Sequence, residues 1–267
     1  MKRNKSDRTI TGTTENVRLL KLQLKDFGDN APVKILLDGA EAVSFTTRNG
    51  IDSIYLFKEA GKWLATSKPL PNQKGPHRYG TFKDAFNHRM IFIYGTSGSK
   101  EENEWSFNKA RYDAETWYYR GNGAIDIISD KEFSLAKYKD RGIILFGNKN
   151  TNAAWKTLLS DCPIQVERNK ITAGNKQWTG NDLAAYFVWP IQGSPIASVG
   201  VISGSGINGM KAANANQYFA GASGFPDFMI FNLDMLQTGA LGVKFAGFFD
   251  NNWKIDNVNI VENNGKF

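Results

Sequence analysis

The chain has 267 residues, 41% hydrophobic and 22% charged, with only eight prolines; this balance excludes a disordered, collagen-like or coiled-coil chain and supplies enough apolar material for a packed core. No window approaches 18 uninterrupted apolar residues, and the densest run, Ala184 to Ile191, is broken by Pro190, so no membrane span is expected. The formal charge is +7, three units of which fall in the first eight residues; elsewhere Lys and Arg are scattered among Asp and Glu, so no nucleic-acid partner is expected.

Cys162 is the only cysteine, which excludes an internal disulfide. His77 and His88 are the only histidines, so the usual Cys/His zinc sites cannot be assembled. The sequence therefore predicts neither a metal nor a cofactor. The basic start, Met1 to Lys5, is followed by the polar stretch Ser6 to Asn16 where a signal peptide would carry its apolar segment, so no export signal is expected here.

From Val17 to Ala65 the chain reads as short strands: Val17 to Leu24, Val33 to Leu37, Ser53 to Phe57 and Trp63 to Ala65. Gly28-Asp29-Asn30, Asp38-Gly39, Asn49-Gly50 and Ala60-Gly61 between them carry the turn chemistry that joins antiparallel neighbours. Residues 1–67 are thus expected to form a small antiparallel β module. Residues 68–88 follow as a linker, because Pro69, Pro71, Gly75, Pro76 and Gly80 exclude helix and central strand.

Over 89–267 the pattern alternates strand and helix. Arg89 to Tyr94 is a doubly buried apolar run, and Ser99-Lys100-Glu101-Glu102 fits a capping box opening a helix that Gly121-Asn122-Gly123 ends. Ala124 to Ile128 and Gly142 to Phe146 read as strands and Thr151 to Ser160 as a helix closed by Pro163. Ile164 to Ala173 reads as a strand or a hairpin turning at Asn169-Lys170, and Thr179 to Tyr186 as a short helix. Ser198 to Ser203, Phe228 to Phe231 and Val243 to Phe249 are further strands, Ile207 to Phe219 a helix, and the tail from Asn257 a frayed end. This order predicts a doubly wound, mainly parallel, three-layer α/β sheet of Rossmann or flavodoxin type.

In such a sheet ligands bind beyond the carboxyl ends of the strands. That rule nominates Gly95, Thr96 and Gly98, then Asp130, Asn148, and the run Gly204-Ser205-Gly206-Ile207-Asn208-Gly209. The run is a literal G-x-G-x-x-G between strand and helix, the pattern that lets backbone approach a pyrophosphate. The acid expected about 20 residues on fits poorly, since Asp227 precedes its strand and Asp234 lies further still. A glycine-lined turn without ligand is the competing reading.

Gly98-Ser99-Lys100 lacks the phosphate-loop spacing, and no Gly-x-Ser-x-Gly elbow exists for a serine nucleophile. Both histidines also precede the candidate serines, against the Ser, acid, His order of α/β-hydrolases. His77, Arg78 and Tyr79 in the linker, with Arg120 at the end of the first long helix, are candidate interface residues; Arg can fork onto a carboxylate or phosphate. Trp117-Tyr118-Tyr119 is expected mainly to fill core. Asp126 and Asp130 could act as an acid pair, although turn capping suits Asp130 better.

Several segments together carry a family resemblance. They are Gly75 to Phe86, Tyr94-Gly95-Thr96, Asn108 to Thr116 and Tyr119 to Gly123, then Gly147-Asn148 with Asn152 to Trp155, Ala246 to Phe249 with Trp253, and Thr14 to Val17. The chain resembles the C-terminal accessory region of large bacterial α/β-hydrolases of the prolyl-oligopeptidase-like class. The resemblance implies that nucleophile, acid and base belong to an upstream catalytic α/β-hydrolase domain of the same polypeptide, and that the parent is a secreted or periplasmic peptidase or esterase. It carries no catalytic residue onto this chain. The alternative, from the glycine run, is a small-molecule, nucleotide or phosphate-binding module.

Overall fold

The computed structural model describes all residues except Asp29, Asn49, Gly50, Asn216, Gln217, Val258 and 264–267, and it leaves out the side chains of Glu41, Ala42 and Ala215. Contacts divide the chain into two compact units, Met1–Leu70 and Pro71–Phe267.

The first unit contains strands β1 (Lys2–Asn4), β2 (Thr9–Gly12), β3 (Leu19–Gln23), β4 (Pro32–Leu37), β5 (Ala40–Thr46), β6 (Ser53–Glu59) and β7 (Lys62–Thr66). They form two sheets, β1-β2-β4-β5 and β3-β6-β7. The apolar alternation of Val33, Ile35 and Leu37 on β4 and of Ile54 and Leu56 on β6 turns one face of each strand into a shared core with Trp63. β2 and β4 pair in parallel, which corrects a purely antiparallel module; the strands β1, β2 and β5 are short or polar enough to escape a reading by alternation.

Two charged side chains lock the loops of this unit. Arg8 spends its guanidinium on the carbonyls of Phe27, Gly28, Ala31 and Pro32 and on the Thr47 hydroxyl. Asp38 accepts from the Thr14 backbone N–H (2.6 Å), the Thr14 hydroxyl (2.8 Å), Lys58 Nζ (2.8 Å) and Trp63 Nε1 (2.9 Å). Those donors, Lys58 foremost, hold its carboxyl far below the usual carboxylate range.

The second unit runs β8 (Ile91–Tyr94), α1 (Lys100–Gly121), β9 (Asp126–Ser129), α2 (Leu135–Tyr138), β10 (Ile143–Phe146), α3 (Trp155–Leu158), β11 (Ile164–Glu167), β12 (Lys170–Ala173), β13 (Lys176–Thr179) and β14 (Leu183–Pro190). It continues through β15 (Ser198–Gly204), α4 (Ile207–Ala212), β16 (Phe228–Asn232), α5 (Met235–Thr238), β17 (Val243–Gly247) and β18 (Ile260–Glu262). One eight-stranded sheet, in the order β18-β17-β16-β14-β15-β10-β8-β9, carries the main core, and β11-β12-β13 form a small antiparallel sheet beside it.

This architecture overturns the doubly wound expectation. Only β9, β8, β10 and β15 are parallel; β14, β16, β17 and β18 are antiparallel to their neighbours, so the sheet is mixed. Only α1 is long, while α2 to α5 have four to six residues and cannot cover two faces.

Three local misreadings explain the error. Leu183 to Val188 is buried at every position, so β14 shows no alternation, and the helix expected over Thr179 to Tyr186 is in its second half the start of this strand. The helix expected over Thr151 to Ser160 shrinks to one turn because the Asn152 carboxamide accepts from the Ala154 N–H and donates to the carbonyls of Ile93 and Phe146. The helix expected over Ile207 to Phe219 stops at Ala212 and passes into a 3-10 turn over Ala213–Ala215. In the tail, where fraying was expected, Ile260–Glu262 pairs with β17; Val258 and 264–267 lie outside the described residues.

The capping box forms as read. Ser99 N–H donates to Glu102 Oε2 (2.7 Å), Glu102 N–H donates to Ser99 Oγ (3.3 Å), and Asn122 closes α1 in the left-handed conformation at φ 50°.

Candidate binding site

The carboxyl ends of β8, β9, β10 and β15 bring the nominated residues together, and their hydrogen bonds run to one another. The Gly95 N–H donates to Ser106 Oγ (2.8 Å), which donates on to the Phe146 carbonyl (3.0 Å). Thr96 Oγ1 donates to Asp130 Oδ1 (2.7 Å), and Asp130 Oδ2 accepts from the Ala153 N–H (2.7 Å). The Gly98 N–H donates to Asn103 Oδ1 (2.9 Å). Asn148, fully buried, donates Nδ2 to the Gly204 carbonyl (2.8 Å) and accepts the Asn150 N–H (3.0 Å). Each of these polar side chains is thus engaged within the chain, Thr96 by the Asp130 carboxylate and the others by backbone groups. Asp126 sits at the other end of β9, paired with Arg141 (2.7 Å), so it forms no acid pair with Asp130.

The glycine run between β15 and α4 serves close packing. A Cβ on Gly204 would lie 2.2 Å from Met210 N, one on Gly206 2.8 Å from the Asn181 carbonyl oxygen, and one on Gly209 2.0 Å from the Leu183 carbonyl oxygen. The Gly209 N–H already donates to the Asn181 carbonyl (3.1 Å), and Ser205, fully buried, donates Oγ to the Gly180 carbonyl (2.6 Å) while accepting the Leu183 N–H (3.2 Å). These close approaches account for the three glycines by packing alone, and α4 is a six-residue helix. Asp227 has another duty: its carboxylate accepts from the Thr81 N–H (2.6 Å), the Phe249 N–H (2.8 Å) and Lys74, tying residues 74–81 to the start of β16.

Among the described residues no serine hydroxyl is hydrogen-bonded to an imidazole. His77 donates from Nε2 to the Pro71 carbonyl (3.0 Å), and His88 is exposed in a left-handed conformation at φ 61°. Burial pushes the Cys162 thiol far above its ordinary range, which leaves it unreactive. Among the described residues no three His, Cys, Asp or Glu side chains cluster as metal ligands, and no helix is long and apolar enough to cross a membrane.

The interface candidates separate. His77, Tyr79 and Arg120 are exposed, as are Tyr118 and Tyr119, whereas Trp117 is half-buried against Phe219; the helix end thus shows its tyrosines to solvent instead of filling core. Arg78 is 1% exposed. Its Nη1 donates to the carbonyls of Ser194 (2.8 Å) and Ala197 (3.0 Å), and its Nη2 to that of Pro71 (3.1 Å).

A buried polar cluster lies between α1 and the segment after α4. Lys109 Nζ donates to Asp113 Oδ1 (2.8 Å), and the Tyr218 hydroxyl donates to Asp113 Oδ2. Burial raises the Asp113 carboxyl against the pull of Lys109, and burial together with Asp113 raises the Tyr218 phenol. Lys109 and Asp113 are an i,i+4 pair on α1, and Tyr218, which completes the cluster, lies 105 residues away from Asp113 in the chain. The cluster clamps α1 to the segment after α4.

No model of a known protein family matches the chain, and no curated protein matches it either. The assignment of a role therefore rests on the residues themselves.

Proposed function

We propose that this chain is a noncatalytic accessory region of a serine hydrolase, a peptidase or esterase, that packs on or gates an upstream catalytic α/β-hydrolase domain of the same polypeptide outside the cytoplasm. The observation that carries the noncatalytic part is the absence, among the described residues, of any serine hydrogen-bonded to imidazole, together with strand-end side chains engaged in the Thr96–Asp130 and Asn148–Gly204 bonds. Nucleophilic serine chemistry needs a base within hydrogen-bond reach of the hydroxyl. The hydrolase part is supported by the resemblance of residues 75–86, 94–96, 108–116, 119–123, 147–148 and 152–155 to the accessory region of that class. No observation favours the phosphate-binding alternative, because the glycine run is packed against backbone.

Two measurements test the reading. A fluorophosphonate probe should leave this chain unlabelled and label the longer polypeptide; labelling of this chain alone, abolished by one serine substitution, refutes it. Sequencing upstream of Met1 should reveal a continuous frame with a Gly-x-Ser-x-Gly elbow, and an in-frame stop followed by a genuine start site would refute the accessory role.

A further inference from the structure

A cavity of about 430 Å³ lies wholly within the second unit, between the segment at Pro71 and Asn72, the turn at Asp161, the end of β14 at Trp189 and Pro190, the loop over 191–195, and Asn252. Its volume falls in the range of small-molecule sites. It is open to solvent, since Asn72, Asp161, Gln192 and Asn252 are all exposed.

The walls are held in place without a ligand. Arg78 donates Nη1 to the carbonyls of Ser194 and Ala197 and Nη2 to that of Pro71, which joins the loop to the segment opposite. Inside the loop the Ser194 N–H donates to the Ile191 carbonyl (3.1 Å), and Ser194 Oγ accepts the Ala197 N–H (3.1 Å). Trp253 donates Nε1 to the Asn72 carbonyl (3.0 Å), and Asn252 accepts Gln73 Nε2 on its Oδ1 (2.7 Å). A site fixed in this way loses little conformational freedom when a ligand arrives.

The polar groups of the lining, in contrast, are unspent. Among the described residues the side chains of Asn72, Asp161 and Gln192 have no hydrogen-bond or ion-pair partner, and Asn252 keeps both N–H groups of Nδ2. Trp189 is half-buried, and its Nε1 has no partner in the chain yet keeps contact with solvent. Compare the strand ends, where Thr96, Asp130 and Asn148 are all engaged.

The chemistry of this set selects its ligand. Carboxamides both give and accept hydrogen bonds, a carboxylate accepts, and an indole N–H gives; beside them Trp189 and Pro190 present apolar surface. The matching partner carries several hydroxyls, each donor and acceptor at once, around an apolar C–H face, as a pyranose ring does. Charge narrows the class further. Asp161 opposes an anion, and the Arg78 guanidinium, spent on carbonyls with its Nε shut from solvent, opposes a cation without offering an anion a donor.

We propose that this cavity binds a neutral saccharide, the C–H face of one pyranose ring resting on Trp189 and Pro190, and its hydroxyls donating to Asp161 and exchanging hydrogen bonds with Asn72, Gln192 and Asn252. The site lies within this chain and stands whether or not a hydrolase domain precedes it.

The test uses the complete chain with maltose, cellobiose and diacetylchitobiose as probes, followed by calorimetry and by the Trp189 indole N–H resonance in a nitrogen-edited NMR spectrum, assigned with Trp189→Phe. At least one disaccharide should bind saturably and shift that resonance. For that disaccharide, Asp161→Ala should lose at least about tenfold in affinity, as expected for hydrogen bonds to a charged acceptor, and Gln192→Ala about fivefold. Both side chains are exposed and without partners, so neither change touches the packing of the fold. An unmoved Trp189 resonance with all three disaccharides, affinity unaltered in both variants, or displacement of the disaccharide by choline at equal concentration overturns the proposal.

Discussion

Replacing Gly209 by alanine tests whether the end of the glycine run is a packing joint, because a helix glycine in open space and one pressed against neighbouring backbone predict opposite signs. In an open helix interior the change would stabilise by up to about 1 kcal/mol, since alanine is the better helix former. Here the new Cβ would lie 2.0 Å from the Leu183 carbonyl oxygen, roughly 1.4 Å short of ordinary contact, which begins at 3.4 Å. Neither side can yield cheaply. Leu183 pairs with Asn232 of β16, and its carbonyl accepts the Ser205 N–H at 2.8 Å, so moving it disrupts both the sheet and the turn. Overpacking of this kind costs about 1–3 kcal/mol, and a backbone-to-backbone clash belongs at the upper end. At about 3 kcal/mol, a unit of this size should melt about 6–12 °C lower. Thermal unfolding followed by circular dichroism measures the shift, with Gly221→Ala as control, because nothing lies within 4 Å of a Cβ there. Inorganic phosphate should leave the wild-type midpoint unchanged, whereas a true phosphate site at 100 times its dissociation constant would add about 2.7 kcal/mol. An unchanged or raised midpoint for Gly209→Ala would refute the packing argument.

Two further outcomes follow from buried or shared carboxylates. Asp38 has a folded pKa depressed below its unfolded value, so its stabilisation is present above the unfolded value and drains away as pH falls toward the folded one; the stability gap between wild type and Asp38→Asn should narrow below about pH 4, read from hydrogen exchange at the Trp63 indole, and a gap constant with pH would contradict this. Asp227→Ala strands the half-buried Lys74 and two backbone N–H groups, so it should cost about 3–5 kcal/mol, and the amides of Thr81 and Phe249 should lose exchange protection; unaltered protection at both would show that Asp227 is not the clamp.

What the sequence revealed depended on how local the deciding interaction was. The capping box at Ser99 and Glu102 closes within four residues, so the start of α1 could be read directly. The direction of β14 could not, because it is set by pairing with β15 on one side and β16 on the other, and Leu183 to Val188 is buried throughout. Once β14 runs antiparallel in the middle of the sheet, the strand-end rule loses half its strands. The nominated residues at the parallel strand ends are engaged in hydrogen bonds within the chain. Asp227 shows the same limit from the other side: its spacing from the glycine run invited a ribose-binding role, yet its three partners lie 22 to 153 residues away in the chain.

Arg78 marks the point where sequence and structure supply different halves of one argument. Its residue type and neighbours, between His77 and Tyr79 in a Pro/Gly stretch, already suggested a group able to fork onto a carboxylate. What no spacing could reveal is that the guanidinium is 1% exposed, bonded only to carbonyls, and faced by Trp189 and Trp253 from positions more than 100 residues away. An exposed Arg78 would be one more solvated charge, like Arg120. A buried Arg78 bonded to a carboxylate would be a structural ion pair, like Lys74 with Asp227. It is neither: its charge is held by the three backbone carbonyls of Pro71, Ser194 and Ala197 and by the field of Asp84, which ties the Pro/Gly stretch to the loop before β15.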